Sequence, residues 1–303
     1  MQPGADGDRA ATAATATTVL LWASSFVAIR SAGHDVGPGA LALGRLLAGS
    51  AVLGVIAVVR REGLPPRAAW PGIAGFGVLW VGVYMVALNW GEQQVDAGTA
   101  SMTTSSIPLM VVVLSGLLLG EGLPRRLLGG IAVSGTGTVL VGLAASQGGR
   151  APLAGVLLCL LAAVGAACAQ ICQKPALRYA SALQVTTFGC LTGTAVTMPF
   201  AGQLVRQLAA APADATLSVL YLGVFPTALG FTTWAFALAR GTAGRTAAAI
   251  YLIPAVVVLL SWLLLNEVPQ PLSCVGGALC LAGVAITRLR WRSPRARVSA
   301  VSR

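Results

Sequence analysis

The stretch Ile107-Pro-Leu-Met-Val-Val-Val-Leu-Ser-Gly-Leu-Leu-Leu-Gly-Glu121 returns as Ile253-Pro-Ala-Val-Val-Val-Leu-Leu-Ser-Trp-Leu-Leu-Leu-Asn-Glu267, with 10 identities in 15 ungapped positions. Leucine and valine matches arise easily by chance in apolar segments. More informative are three matched pairs that share one spacing of 146 residues (254 − 108, 261 − 115, 267 − 121), namely Pro108/Pro254, Ser115/Ser261 and Glu121/Glu267. The chain therefore contains the same hydrophobic unit twice, which indicates an internal duplication.

The composition predicts an integral membrane protein. Hydrophobic residues make up 56% of the chain and charged residues 10%, and the mean hydropathy is +0.81. Apolar runs of about 20 residues, the length that crosses a bilayer, are joined by short polar segments. They predict ten spans, at 11–31, 40–59, 68–90, 97–119, 126–145, 152–173, 181–201, 215–238, 243–265 and 271–289. A signal peptide is the alternative for the first span, but Asp6 and Asp8 precede it and no convincing cleavage site follows.

The distribution of basic residues predicts the orientation. With a cytoplasmic N-terminus, 16 of the 20 Lys and Arg residues fall on the cytoplasmic side, as the positive-inside rule requires. Five spans per repeat is an odd number, so the two halves must insert with opposite topology. The predicted fold is an all-α polytopic membrane protein with ten transmembrane helices in two inverted five-helix repeats. Both termini are expected in the cytoplasm and the protein in the inner cell membrane. The expected segments are an N-terminal tail 1–10, repeats 11–145 and 152–289, and a basic tail 290–303.

Several function classes find no support in the residues. The net charge of +11 is dispersed over loops, which argues against a nucleic-acid partner. The basic tail 290–303 is expected to contact anionic lipid. All six cysteines fall inside predicted spans and His34 is the only histidine, so we expect no metal site. The sequence has no nucleotide-binding motif and no nucleophile constellation. We therefore do not expect an enzyme, and we expect no catalytic residue and no cofactor.

Three motifs resemble the EamA-type branch of the drug/metabolite transporter superfamily. They are Trp22-Ala-Ser-Ser-Phe-Val-Ala-Ile-Arg30, Gly44-Arg45-Leu-Leu-Ala48, and the proline-containing helix that ends in Leu-Leu-Leu-Gly-Glu121 or Leu-Leu-Leu-Asn-Glu267. The resemblance covers residues 15 to 289. It implies ten helices in two inverted repeats and transport of small metabolites or drugs, most often outward. The second repeat departs from the pattern where Cys168-Ala-Gln-Ile stands opposite Trp22-Ala-Ser-Ser.

Candidate solute-binding residues come from within the predicted spans. Pro108 and Pro254 each lie near the middle of a span, where a proline leaves backbone carbonyls without their helical donors. A packing kink satisfied by nearby hydroxyls is the alternative. Buried amides and aromatic rings suit a pocket for a polar or apolar solute. The predicted binding residues are Trp22, Arg45, Tyr84, Pro108, Gln170, Gln173, Trp234, Tyr251 and Pro254.

The charged residues give little indication of how transport would be coupled to an energy source. Arg45 lies within a span, and it is expected to reach the outer interface, to pair with Asp35, Glu92 or Asp96, or to hold a solute carboxylate. No acidic residue falls in the middle of a predicted span, so proton coupling would depend on residues at helix ends. Those candidates are Glu92, Asp96, Glu121 and Glu267, although helix-end closure against an arginine is the alternative role for Glu121 and Glu267.

The sequence as a whole predicts a secondary transporter with alternating access. The expected solutes are amino acids, related metabolites or amphipathic drugs, moved outward. The alternative is a passive channel or a facilitator without energy coupling. The 37 glycines favour close helix packing. A homodimer is compatible with this pattern, but the sequence assigns no dimer interface.

Overall fold

The structure is a computed structural model that describes residues 5–118, 125–147, 150–240 and 252–288. Within those residues the chain is helical, with no strand. The first repeat contains α1 Ala5–Ala32, α2 Pro38–Val59, α3 Trp70–Phe76, α4 Met85–Glu92, α5 Ala97–Thr104, α6 Ile107–Leu118 and α7 Arg125–Gln147. The second contains α8 Arg150–Ala176, α9 Ala182–Thr197, α10 Ala201–Ala210, α11 Ala213–Leu222, α12 Gly230–Arg240, α13 Ile253–Leu265 and α14 Pro271–Arg288.

Two of the membrane-crossing helices contain a π-helical segment. Gly77–Tyr84 joins α3 to α4, and Gly223–Leu229 joins α11 to α12. Their first residues are 146 positions apart (223 − 77), the same spacing as the sequence repeat. A π-helix widens the turn and leaves backbone groups in unusual positions, often beside functional sites. The duplication therefore extends to this local distortion.

Short polar signals set the helix ends. Pro38 begins α2, where its missing N–H costs nothing. Asp96 caps α5 by accepting a hydrogen bond from the Thr99 backbone N–H at 2.8 Å, and Ser181 and Gln184 form a capping box at α9. These devices satisfy backbone donors that a bilayer core could not.

The fourth predicted span is not one continuous helix. It divides at residues 105 and 106 into α5 and α6, and Pro108 lies in the first turn after the break. The Ser105 and Ser106 hydroxyls donate to the carbonyls of Met102 and Thr103, three residues earlier. These hydroxyls add donors to carbonyls at the break, close to Pro108, which supplies no N–H. The seventh predicted span also differs, because a 3-10 turn at Met198–Phe200 carries the helix on into α10.

The outer surface of the bundle is apolar. Within the part of the chain that the structure describes, five helices are long and apolar enough to cross a membrane: Arg9–Ala32, Pro38–Val59, Arg67–Glu92, Pro152–Ala176 and Ala213–Trp234. Further apolar helices in the described residues are shorter. Large aliphatic side chains such as Val55, Val58 and Leu217 are 63% to 76% exposed. In a soluble protein this exposure would promote aggregation, whereas lipid solvates it. The protein is thus an all-α polytopic membrane protein.

The helices α7 and α14, which are equivalent helices of the two repeats, cross in close contact. A Cβ built on Gly137 would lie 2.4 Å from the Gly276 carbonyl oxygen, and one on Gly283 would lie 2.6 Å from that of Gly130. The two contacts exchange under the repeat, because 276 − 130 and 283 − 137 both equal 146. The Cys280 thiol, the counterpart of Ser134, lies 3.4 Å from the Ser134 carbonyl oxygen. This antiparallel, self-matching contact marks the two-fold relation of inverted repeats.

Candidate functional site

A cavity of about 300 Å³ lies between the two repeats. It brings together seven of the nine residues predicted to bind solute: Trp22, Arg45, Tyr84, Pro108, Gln170, Trp234 and Pro254. Gln173 is half-buried on α8 and is not among the lining residues. Tyr251 lies outside the described residues. Positions far apart in sequence thus meet around one space.

One wall of the cavity is a connected row of aromatic rings. Tyr84 contacts Trp80 with ring centroids 5.6 Å apart, and Trp80 contacts Phe231 at 6.2 Å. Phe231 then contacts Trp22 at 5.6 Å, and Trp22 contacts Trp234 at 5.4 Å. These distances fall in the range of favourable edge-to-face and offset pairs. The row presents π-faces and apolar surface to a solute, and either an apolar side chain or a cation can pack against such faces.

Trp22 is held in place by the π-helix of the second repeat. Its indole Nε1–H donates to the Pro226 carbonyl oxygen at 3.2 Å. A Cβ built on Gly230 would lie 2.8 Å from that nitrogen, so only glycine at 230 leaves room for the ring. The π-helical carbonyl therefore orients an aromatic residue of the other repeat.

The cavity wall carries one charged residue among the described lining residues, Arg45. It is 6% exposed, and its Nε–H donates to the Thr227 hydroxyl at 2.8 Å. None of the acidic residues proposed as partners forms an ion pair with it, because the guanidinium points toward the second repeat instead. Its other nitrogens have no hydrogen-bond partner among the described residues. A buried guanidinium with free donors is suited to a planar anion such as a carboxylate.

Hydroxyl groups from the α5–α6 break complete the polar part of the wall. Ser101 donates to the Gly98 carbonyl oxygen at 2.7 Å, and Thr104 donates to that of Ala100 at 3.1 Å. Ser105 lines the cavity as well. Each of these hydroxyl protons is already engaged by a carbonyl, so the oxygens offer acceptor lone pairs to a solute. This arrangement suits a donor such as an ammonium group.

Charged groups lie one helical turn beyond one end of the cavity wall. Arg30 lies one turn beyond Phe26 on α1 and forms a salt bridge from Nε to Glu267 Oε1 at 2.9 Å. It also donates through a terminal nitrogen to the backbone carbonyl of Glu92 at 3.0 Å. Glu92 is the last residue of α4, one turn beyond Leu88 in the cavity wall, and is 0% exposed. We call Arg30, Glu92 and Glu267 the gate cluster.

The predicted coupling residues occupy different environments. Glu267 is half-buried in the gate cluster, where it pairs with an arginine as its alternative role anticipated. Glu92 was expected just outside a span, but α4 extends to include it and neighbouring helices bury it. Asp96 accepts hydrogen bonds from the Thr99 N–H and hydroxyl at 2.8 and 2.6 Å, so it is engaged as a helix cap. Glu121 lies outside the described residues.

Several lining residues were absent from the prediction, chiefly Phe26, Met85, Leu88, Phe231 and the hydroxyls of α5. A signal for three of them was present in the sequence. Phe26 follows Trp22 by four residues, Phe231 precedes Trp234 by three and Leu88 follows Tyr84 by four, and such pairs share a helix face. A search three and four positions before and after each predicted residue would have found them.

Comparisons with known proteins agree with this architecture. The profile described as EamA-like transporter family matches residues 10–143 and 153–289. A probable terminal-alkyne amino-acid exporter of Streptantibioticus cattleyicolor is 35% identical over 94% of this chain and 96% of its own. A probable amino-acid metabolite efflux pump of Salmonella typhimurium is 27% identical over 93% of this chain and 96% of its own. A crystal structure of a protein 23% identical covers 93% of this chain and 97% of its own, with a TM-score of 0.60, which shows a shared fold. With the profile covering nearly the whole sequence, the chain belongs to the EamA-like transporter family.

Proposed function

We propose that the protein is a secondary transporter that exports amino acids or related small carboxylates by alternating access, with amphipathic drugs as further solutes. The observation that carries this proposal is the cavity between the repeats. It combines an aromatic wall, a buried guanidinium with free donors and hydroxyl acceptors. The names of two relatives, an amino-acid exporter and an amino-acid metabolite efflux pump, support the solute class and the outward direction.

Each part of an amino acid has a complementary group in the cavity. The carboxylate is assigned to Arg45, whose terminal nitrogens provide charge-assisted donors. The ammonium is assigned to the hydroxyl oxygens of Ser101, Thr104 and Ser105 and to the faces of the aromatic row. An apolar side chain fills the remaining space against Trp22 and Trp234. A volume of about 300 Å³ is at the lower end of small-molecule pockets, which fits a single metabolite.

A carrier accounts for the gate cluster better than a channel does. The Arg30–Glu267 salt bridge lies just beyond one end of the cavity, and we assign to it the closure of that end while the solute site remains formed. Alternating access requires a site that is closed at one end at a time. We assign the gate cluster to the outer end, with both termini in the cytoplasm, the protein in the inner membrane and the basic tail 290–303 against anionic lipid. The tail lies outside the described residues.

Flux measurements in proteoliposomes test this proposal. A radiolabelled panel of amino acids, monocarboxylates and cationic drugs is loaded, and efflux is followed with and without a pH gradient. We expect saturable efflux of carboxylate solutes, accelerated by unlabelled solute on the opposite side. Trp234→Ala should abolish it, whereas Trp262→Ala, a 55% exposed tryptophan on the apolar surface, should leave it unchanged. Flux that neither saturates nor shows counterflow would identify a channel, and no flux of any panel member would contradict the proposal.

A further inference from the structure

Glu92 is the most isolated carboxyl group in the described structure. It is 0% exposed, and neither Oε1 nor Oε2 has a hydrogen-bond partner. Arg30 contacts only the backbone carbonyl of this residue, and its Nε–H is engaged by Glu267. An ionised carboxylate without hydrogen bonds in a low-dielectric interior costs several kcal/mol, whereas a neutral carboxyl costs much less. Because the charged form is much more costly than the neutral form here, a change in the surrounding charge can make Glu92 bind or release a proton.

The surroundings of Glu92 contain one positive charge that no carboxylate contacts. The ionisable groups coupled to it are Arg45 from α2, Arg30 from α1, Glu267 beyond α13, Tyr84 and Cys159 from α8, and Asp96 acts on Cys159. Arg30 is neutralised by its salt bridge with Glu267. Asp96 is engaged by Thr99. Arg45 has only a neutral hydroxyl as its partner, so its charge is available either to an ionised Glu92 or to an anionic solute.

These observations determine the sign of a coupling. With the cavity empty, the charge of Arg45 favours ionised Glu92 across the intervening wall. A solute carboxylate that binds Arg45 cancels this attraction and adds repulsion, so Glu92 takes up a proton from water as the solute binds. Coupling between two ligands is reciprocal, so the proton must favour the solute to the same extent.

We propose that Glu92 is a buried proton-binding site that is filled together with the solute carboxylate at Arg45, so that proton and carboxylate cross the membrane in the same direction. This inference rests on the proposed function and deepens it. It predicts co-transport of a carboxylate with a proton, not the exchange of one for the other. Co-transport of a monoanion with a proton moves no net charge and is insensitive to membrane potential.

Proton uptake on solute binding tests the inference directly. The full-length protein in detergent, in weakly buffered solution with a pH-indicator dye, is titrated with phenylacetate, and binding is followed by the fluorescence of the cavity tryptophans. We expect up to one proton taken up per phenylacetate bound. The apparent affinity should weaken by up to about tenfold per pH unit on the alkaline side, the slope for one linked proton.

Two variants distinguish the proton site from general effects of pH. Glu92→Gln, which imitates the protonated carboxyl, should bind phenylacetate without proton uptake and with an affinity independent of pH. Asp35→Asn removes an exposed carboxylate of the loop after α1 and should behave as the wild type. Binding by the wild type without proton uptake, or undiminished uptake by Glu92→Gln, would overturn the inference and leave the proposed function standing. Failure of the wild type to bind either phenylacetate or L-phenylalanine would overturn both.

Discussion

Arg45 is the residue on which the chemistry of the cavity depends most. The other described lining residues are neutral, and many are aromatic or aliphatic. A guanidinium removed from water loses its hydration, and one hydroxyl from Thr227 replaces only part of it. Such a residue is costly to bury, and in the proposed function a solute carboxylate supplies the missing partner.

Replacement of Arg45 tests this role at the level of one side chain. We expect Arg45→Gln to weaken binding of phenylacetate and L-phenylalanine by about tenfold or more, the value of a hydrogen bond to a charged group. Phenylacetamide, which lacks the charge, should lose much less affinity. Arg206→Gln on α10 serves as the control, because Arg206 is exposed. Equal losses for the charged and neutral probes in tryptophan-fluorescence titrations would mean that Arg45 acts through packing.

Individual residues also show where sequence reasoning ends. The residue types of the cavity were predictable, because aromatic rings, amides and prolines within apolar spans have few other uses. The hydrogen-bond partner of Arg45 was not predictable, since Thr227 lies 182 positions away and hydroxyls are common in these helices. Burial of Glu92 was also missed, because composition alone places a glutamate at the end of a span in water. Contacts between the repeats decide both cases.

The break between α5 and α6 is the element that shapes the polar wall. Pro108 cannot supply an N–H, and the helix stops and restarts across two serines whose hydroxyls bond to earlier carbonyls. Ser105 and Pro108 both line the cavity as a result. Pro254, the repeat counterpart of Pro108, lies at the start of α13 and lines the same cavity.

Removal of these prolines should alter transport without preventing folding. In Pro108→Ala and Pro254→Ala the alanine restores a backbone donor and permits a regular helix. We expect each variant to insert normally and to show at least a severalfold lower efflux rate in proteoliposomes, because the polar wall is displaced. Pro66→Ala, at an exposed position of the loop after α2, is the matched control. Wild-type flux in both cavity variants would show that the prolines have no part in the site.

At the scale of elements, hydropathy located the apolar helices of the described residues, whereas it did not predict their distortions. The π-helix Gly77–Tyr84 packs Gly77 so closely that a Cβ there would lie 2.6 Å from the Gly189 carbonyl oxygen. The wide turn thus depends on a contact between the third and seventh spans. The helix propensities of the residues in Gly77–Tyr84 do not depend on such a contact, so the sequence predicts a regular α-helix there.

The contact between α7 and α14 organises the molecule as a whole. Four glycines let the two backbones approach closely, and the contact maps onto itself under the repeat. Small residues of this kind replace the hydrophobic effect as the basis of helix association in lipid. The duplicated motif pointed to inverted repeats, but the crossing itself could not be read from a chain so rich in glycine.

Glycine substitution at this crossing should reduce the stability of the entire fold. Gly137→Ala places a methyl group 2.4 Å from a backbone oxygen, so the helices must separate. We expect a loss of about 1–3 kcal/mol, typical of overpacking, seen as a lower thermal midpoint in detergent. Gly135→Ala lies on the same helix with no atom within 4 Å, and it should be neutral or slightly stabilising. Equal midpoints for the two variants would contradict the role of the crossing.

The gate cluster is one of the places where the two repeats differ. The residues 146 positions after Arg30 and Glu92 are Ala176 and Leu238, so the second repeat has neither the guanidinium nor the carboxyl at the matching positions. In a transporter made of two inverted halves, the two end states of the cycle would have equal energy if the halves were identical. Among the described residues, the state with the Arg30 end closed gains the Arg30–Glu267 salt bridge. We therefore expect an unliganded protein that rests mainly with its Arg30 end shut, waiting for solute on the other side of the membrane.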